Sequence, residues 1–233
     1  MRLICLPYAG GNSIFFTKWR KVFGNEIEVV SVEYAGHGRR ICEEFTDSYQ
    51  DTLEDVFSQV EKLITSEYAI FGHSMGAVYA YEVVKRLEKK GLRMPAAVIV
   101  SGSRAPYENN ERLLHKMDKD VFMQELFKMG GLSGEIFENR ELLDLVYTVS
   151  FNDIKNLEEY RSEHFEKTPE KIRTQMIVLY GEEDEEFSGN DICRWQDYCL
   201  RKNIVKGFKG GHFFIDKERE DVCDFLRRKI LFY

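Results

Sequence analysis

The sequence predicts an α/β domain in which a doubly wound, mainly parallel sheet is covered by helices on both faces. Short apolar runs of strand length alternate along the chain with longer segments whose apolar residues recur at helical spacing. Several of the runs are apolar on both faces, which is typical of parallel strands buried between helices. The predicted strands are Arg2–Leu6, Ile27–Val32, Tyr68–Phe71, Ala96–Ser101, Gln175–Tyr180 and Ile204–Phe208.

Amphipathic segments separate these strands and close the chain. The predicted helices are Tyr49–Ser66, Ala77–Lys90 and Asp221–Leu231. A chain of 233 residues is long enough to bury one large core but too short for two independent domains of this class. We therefore expect residues 1–233 to form a single domain.

One interval, from about residue 106 to residue 168, breaks the alternation. It has no strand signal and contains only helical patterns, broken by glycines 130, 131 and 134. The interval is either a helical excursion with its own small core or a lid that also lines an apolar substrate channel, and both descriptions can hold together. As a lid, it is expected to contact substrate through Met117, Phe122 and Phe127.

The pentapeptide from Gly72 to Gly76, with sequence Gly-His-Ser-Met-Gly, is the most informative motif. It follows an apolar strand and precedes a helical pattern, which is the context of a nucleophile elbow. A turn this sharp tolerates little side chain on either side of the serine, hence the two glycines. The motif predicts that the hydroxyl of Ser74 is exposed at the sheet edge as a nucleophile.

A nucleophilic serine needs a base to take its proton, and the base needs an orienting carboxylate. In the α/β-hydrolase fold these follow the serine in the order acid, then histidine, on loops after later strands. Asp184 lies in the loop after the strand Gln175–Tyr180, and His212 lies after the strand Ile204–Phe208. Order and position together predict a triad of Ser74, Asp184 and His212.

Two alternatives to this triad remain open. The acidic loop can be read as a solvated surface, although Asp184, three residues after the turn at Gly181, is short and rigid enough to reach back to the histidine. His37 lies in a loop that could face the cleft, so it competes with His212 as the base. The side chain of His73 should point away from the serine. The other acidic residues of the loop are Glu182, Glu183, Glu185 and Glu186, and the histidines expected on the surface are His115 and His164.

An oxyanion hole requires two preorganised N–H donors. The first is the N–H of Met75, next to the nucleophile. The second should come from the small-residue loop after the first strand, residues 7–11, in which Ala9 is the best placed donor. A simpler possibility is that Gly10 and Gly11 only form a turn that opens a helix.

Composition excludes several other classes of function. The formal charge of −7, with no basic stripe, argues against nonspecific nucleic-acid binding. No apolar stretch approaches the roughly 20 residues of a membrane span, and no signal peptide is expected. The five cysteines lack metal-ligand spacing and suggest reduced thiols in a cytoplasmic protein. No metal and no cofactor are expected.

Taken together, the motifs resemble the type II thioesterases that accompany nonribosomal peptide and polyketide synthases. The resemblance extends over nearly the whole chain, and several of its motifs are rarely found together elsewhere. They include Leu6-Pro-Tyr-Ala-Gly-Gly11, Phe15-Phe16, Gly72-His-Ser-Met-Gly76, Ser101-Gly-Ser-Arg-Ala-Pro106, the segment from Gly130 to Tyr160 with Asp153, Tyr180-Gly-Glu-Glu-Asp184, Trp195 and Gly210-Gly-His-Phe-Phe214.

The resemblance implies the same triad and the same oxyanion donors, Ala9 and Met75. It also implies hydrolysis of aberrant or stalled acyl groups from the phosphopantetheine arm of an acyl or peptidyl carrier protein, by a monomer that needs no cofactor of its own. One departure is the sequence Ala-Gly-His-Gly at residues 35–38, where the family often has Pro-Gly-Arg-Gly. That departure puts a substrate role for this loop in doubt.

Other serine hydrolases of the same fold, such as carboxylesterases and acyltransferases, share the elbow and the triad. The sequence therefore leaves them as the principal alternative. A non-catalytic binding module is disfavoured because all three triad residues are present.

Overall fold

Six parallel strands form one sheet in the order β2-β1-β3-β4-β5-β6. The structure is a computed structural model that describes residues 1–108, 112–165, 167–186 and 189–231. The strands are β1 (Arg2–Leu6), β2 (Glu28–Ser31), β3 (Tyr68–His73), β4 (Ala97–Ser101), β5 (Gln175–Gly181) and β6 (Ile204–Phe208). All five pairings are parallel, which confirms the predicted doubly wound sheet.

Helices connect the strands and cover both faces of the sheet. They are α1 (Thr17–Phe23), α2 (Tyr49–Leu63), α3 (Met75–Lys90), α4 (Lys119–Met129), α5 (Arg140–His164), α6 (Gly189–Arg194), α7 (Phe214–Lys217) and α8 (Arg219–Ile230). The three helices predicted from sequence are present, and their ends differ from the predicted ones by at most three residues. No described helix is long and apolar enough to cross a membrane.

Two hydrophobic clusters lie on opposite faces of the sheet. Side chains of α2 and α3 pack on one face, and those of α1 and α8 pack on the other. Strands β3 and β4 are buried at every position. Their burial on both faces explains why they read as continuous apolar runs in the sequence.

The interval from 106 to 168 forms a helical layer at the carboxyl edge of the sheet. Its described residues contain no strand, as the sequence predicts, and consist mainly of α4 and α5 with short 3₁₀ turns. A third, small hydrophobic cluster is built around Phe122, Met123 and Ile154. Ala9 packs against this cluster, so the helical layer adjoins the loop that follows β1.

Candidate active site

Ser74 lies in a strained turn between β3 and α3. It is the only non-glycine described residue with positive φ, at φ 53° and ψ −117°. A Cβ atom at Gly72 would lie 1.9 Å from the carbonyl oxygen of Gly76, and one at Gly76 would lie 2.2 Å from that of Leu6. Both glycines are therefore required by close backbone contacts, which hold the serine at the sheet edge as the elbow motif predicts.

Asp184 and His212 are hydrogen-bonded to each other. The Nδ1–H of His212 donates to Oδ2 of Asp184 over 2.8 Å, and the two side chains are 8% and 1% exposed. The loops that carry them are joined through backbone hydrogen bonds, including Glu183 N–H to Gly210 O at 3.0 Å. A Cβ atom at Gly181 would overlap the carbonyls of the histidine loop. This close packing fixes the carboxylate against the imidazole.

The neighbouring glutamates do not share this position. Glu182, Glu183 and Glu185 are exposed, whereas the carboxylate of Asp184 is buried. Oδ1 of Asp184 also accepts the N–H of Glu186 at 3.0 Å, so both of its oxygens have defined partners. The geometry favours Asp184 over its neighbours as the orienting acid.

Ser74 and His212 line the same cavity of about 380 Å³, at the carboxyl edge of the sheet. Ala9 and Met75 line it as well, so the structure brings together the predicted nucleophile, base and oxyanion donors. The opposite wall comes from the helical layer, where seven apolar side chains are joined by the charged residues Arg112, Glu125, Glu158 and Arg161. Its apolar members are Leu114, Leu126, Met129, Leu132, Val146, Ile154 and Leu157.

In the loop after β1, the backbone N–H groups of both glycines have acceptors within the protein. The N–H of Gly10 donates to Oδ2 of Asp153 at 2.7 Å, and that of Gly11 donates to Tyr8 O at 2.8 Å. Among the described residues the N–H of Ala9 has no acceptor. The loop is thus held by its glycines, and Ala9 remains the candidate donor beside Met75.

The three residues predicted to contact substrate from the lid do not line this cavity. Phe122 is fully buried beneath the layer, with its ring 5.5 Å from that of Tyr147, and Phe127 is 44% exposed beside Phe137. Met117 caps a 3₁₀ turn outside the cavity wall. The helical layer lines the cavity through side chains other than the three predicted. Apolar spacing indicates that a helix buries one face, but it does not indicate which cavity that face lines.

The remaining histidines have other partners. His73 is fully buried, and burial lowers its pKa well below the usual value, so it stays neutral. His37 is buried against Asp153 and does not line the cavity, which removes it as a competing base. His115 and His164 were predicted to lie on the surface, and this prediction was wrong. His115 is hydrogen-bonded to the buried carboxylate of Glu158, and His164 is half-buried and stacked on Tyr160.

A parallel sheet with a strained serine after its third strand, and a bonded aspartate and histidine after its last two, has the architecture of an α/β-hydrolase. A profile of the thioesterase domain family matches residues 1–230. The chain therefore belongs to the thioesterase domain family and is a thioester hydrolase.

The amino-acid sequences of named thioesterases and biosynthesis proteins are similar to this chain over nearly its whole length. Thioesterase PikA5 of Streptomyces venezuelae is 28% identical over 232 residues, which span 99% of this chain and 81% of that protein. The gramicidin S biosynthesis protein GrsT of Aneurinibacillus migulanus is 26% identical over 231 residues, spanning 99% and 89%. The resemblance to type II thioesterases inferred from the motifs is thereby confirmed.

Solved structures agree with these relatives. ClbQ from the colibactin nonribosomal peptide and polyketide pathway superimposes with a TM-score of 0.89 at 32% identity, covering 98% of this chain and 96% of that one. YbtT, a type II thioesterase from the yersiniabactin pathway, gives 0.88 at 28% identity, covering 98% and 92%. The α/β-hydrolase fold is confirmed.

Proposed function

We propose that this protein hydrolyses acyl thioesters from the phosphopantetheine arm of carrier proteins in a nonribosomal peptide or polyketide pathway, and so clears aberrant or stalled acyl groups. Relatives and structural neighbours named for such pathways support the proposal. The observation that carries it is the cavity itself. It joins the serine and the histidine–aspartate pair at one end to an apolar wall at the other, which suits an acyl chain attached to a reactive carbonyl.

In the first half-reaction, Oγ of Ser74 attacks the thioester carbonyl carbon while its proton passes to Nε2 of His212. Asp184, bonded to Nδ1–H, keeps the proton-accepting nitrogen directed at the serine and stabilises the imidazolium. The N–H groups of Ala9 and Met75 stabilise the negative oxygen of the tetrahedral intermediate. When the intermediate collapses, the C–S bond breaks and the departing phosphopantetheine sulfur takes the proton from His212.

In the second half-reaction, water replaces the thiol. His212 removes a proton from the water as its oxygen attacks the acyl-serine carbonyl, and the same donors stabilise the second intermediate. Collapse releases the carboxylic acid and returns the proton to Oγ of Ser74. The carrier protein leaves with a free thiol, which can be loaded again.

A second candidate is release of fatty acyl groups from a fatty acid synthase. The medium-chain S-acyl fatty acid synthase thioesterase of Rattus norvegicus is 27% identical over 221 residues, covering 93% of this chain and 82% of that protein. The thioester hydrolysis would be the same, and the two functions differ in the acyl group removed and in the synthase that carries it. A strong preference for medium-length chains would favour this candidate over a clearing role.

The test is to mix the protein with carrier proteins loaded with acetyl, hexanoyl or decanoyl groups and to follow deacylation by intact mass. We expect thioester cleavage by the wild type, and a loss of several orders of magnitude in Ser74→Ala. Ser162→Ala, which removes an exposed serine of α5, serves as the matched control and should retain full activity. Equal rates on oxygen esters of the same acyl groups would instead indicate a general esterase.

A further inference from the structure

Asp153 and His37 form a buried pair outside the catalytic cavity wall. Oδ2 of Asp153 accepts Nε2–H of His37 at 2.8 Å and the backbone N–H of Gly10 at 2.7 Å. The two side chains are only 6% and 2% exposed. A buried carboxylate is retained only at a considerable desolvation cost unless it is paired, and here both of its partners are hydrogen-bond donors.

The hydrogen-bond partners of His37 favour its protonated form. Nδ1 of His37 lies 2.9 Å from the carbonyl oxygen of Ala35, while Nε2 faces the carboxylate. A carbonyl oxygen and a carboxylate oxygen both accept hydrogen bonds, so these contacts suit the imidazolium form of His37, in which both ring nitrogens are donors. Burial lowers the pKa of His37, but the hydrogen bond and charge of Asp153, the Ala35 carbonyl and the charge of Glu33 together raise it above its usual value.

The same contact fixes the loop that follows β1. Gly10 has φ +75°, and a Cβ atom there would lie 2.3 Å from Oγ of Ser150, one turn before Asp153 on α5. The carboxylate holds the peptide group that follows Ala9. On the other side of that loop, the hydroxyl of Tyr34 donates to Pro7 O at 2.8 Å.

We propose that Asp153, held by His37, is a positioning residue for the oxyanion hole, because it fixes Gly10 and thereby the direction of the Ala9 N–H. The inference rests on the proposed roles of Ser74 and Ala9. It extends the active site to α5, whose residues Ile154 and Leu157 line the acyl cavity. One helix thus supports both the acyl wall and the oxyanion donor.

Asparagine cannot replace Asp153 without loss. Oδ2 of Asp153 accepts hydrogen bonds from both Gly10 and His37. In Asp153→Asn, either the amide oxygen or the amide nitrogen must occupy that position. An amide oxygen lacks the charge that keeps the imidazolium protonated, and an amide nitrogen opposes the N–H of Gly10. We expect Asp153→Asn to lower kcat about 10- to 100-fold with little change in KM, which is part of the 10²–10³-fold cost of losing a whole oxyanion donor.

The dependence of kcat on pH distinguishes a positioning role of Asp153 from a role that only stabilises the fold. The charged and titratable groups around His37 are Asp153 from α5, Glu33 and Tyr34 from its own loop, and Arg39, which pairs with Glu33. As pH rises through the raised pKa, His37 loses its proton and its bond to Asp153 weakens, so wild-type kcat should fall on the alkaline side. In Asp153→Asn, the alkaline fall in kcat should occur at lower pH. In His37→Gln, this fall should be absent, and kcat should stay at a constant value below that of the wild type.

The experiment measures, each against pH, kcat and KM for carrier thioesters and the rate at which a fluorophosphonate labels Ser74. The melting temperature of each variant is measured as well. Glu159→Gln, an exposed carboxylate of α5, is the matched control and should leave every value unchanged. Slower labelling with a shifted alkaline limb supports the inference, even if the wild type proves inactive on carrier proteins, in which case only the proposed substrate fails. Variants that melt earlier but retain wild-type labelling rates and pH profile overturn it.

Discussion

Replacing Ser74, the proposed nucleophile, by glycine should stabilise the protein. Ser74 has φ 53° and ψ −117°, a conformation that a residue with a Cβ atom adopts only under strain of about 1–3 kcal/mol. Glycine adopts it freely but adds about 0.4–1 kcal/mol of conformational freedom to the unfolded chain. The difference predicts that Ser74→Gly raises the free energy of unfolding by about 1 kcal/mol, which corresponds to a melting temperature higher by about 2–4 °C in a chain of this size.

Ser74→Ala is the matched control for this effect. It removes the hydroxyl and abolishes turnover as glycine does, but it keeps the Cβ atom and therefore the strain. Urea unfolding at neutral pH, followed by circular dichroism, measures the free energy of all three proteins. If Ser74→Gly is no more stable than Ser74→Ala, the elbow is not strained in solution and the argument from backbone geometry fails.

Three further predictions concern the acid, the acyl wall and the buried imidazole. Asp184→Asn should lower kcat by about 10³- to 10⁴-fold because it disturbs the tautomer of the base, whereas Glu183→Gln should change it less than about twofold. Val146→Phe should narrow the cavity and shift preference toward shorter acyl groups by about tenfold or more, whereas Phe127→Ala, outside the wall, should leave the preference unchanged. Burial holds the pKa of His73 well below its usual value, so folding loses stability as pH falls below about 6.5, and His73→Asn should flatten that dependence in urea unfolding between about pH 7 and pH 5.

Each of these has a result that would count against it. If Asp184→Asn retains a near-normal kcat and Glu183→Gln loses most of its kcat, then Glu183 is the orienting acid. Equal changes in acyl preference from both lid variants would mean that the substrate follows a different path. An acid dependence of stability that is unchanged in the His73 variant would mean that other groups cause it.

The pattern predicts the central strands well because β1, β3, β4 and β5 are buried on both faces of the sheet. A continuous apolar run such as β3 signals such a strand directly, and the chain order of nucleophile, acid and histidine then places Ser74, Asp184 and His212 at one edge. The predicted helices do not include α1, although Phe16, Trp19 and Phe23 recur at helical spacing and are all buried. That signal was available in the pattern.

The residues of the acyl wall and the pair behind the oxyanion loop could not be predicted in the same way. The position of Phe122 depends on the rings of α5 against which α4 packs, and periodicity within α4 does not reveal them. His37 and Asp153 are separated by 116 residues, and neither lies in a motif that names the other. Long-range packing decides both cases, so only the folded structure shows them.

Aromatic residues around His212 hold its loop close to Ser74, although the order of strands in the sheet separates the two residues. β4 and β5 lie between the strand that ends at the nucleophile and β6, which carries the base. The ring of His212 lies 5.1 Å from that of His73, and the adjacent ring of Phe213 packs edge-on against Tyr8 at 4.8 Å. Tyr8 precedes Ala9, the proposed oxyanion donor, so this cluster holds the loop of His212 against the loop that follows β1. We infer that this ring cluster, with His73 neutral, holds His212 beside the cavity that Ser74 lines, although two strands separate the strands that precede them. A charged group at residue 73 would repel a protonated His212.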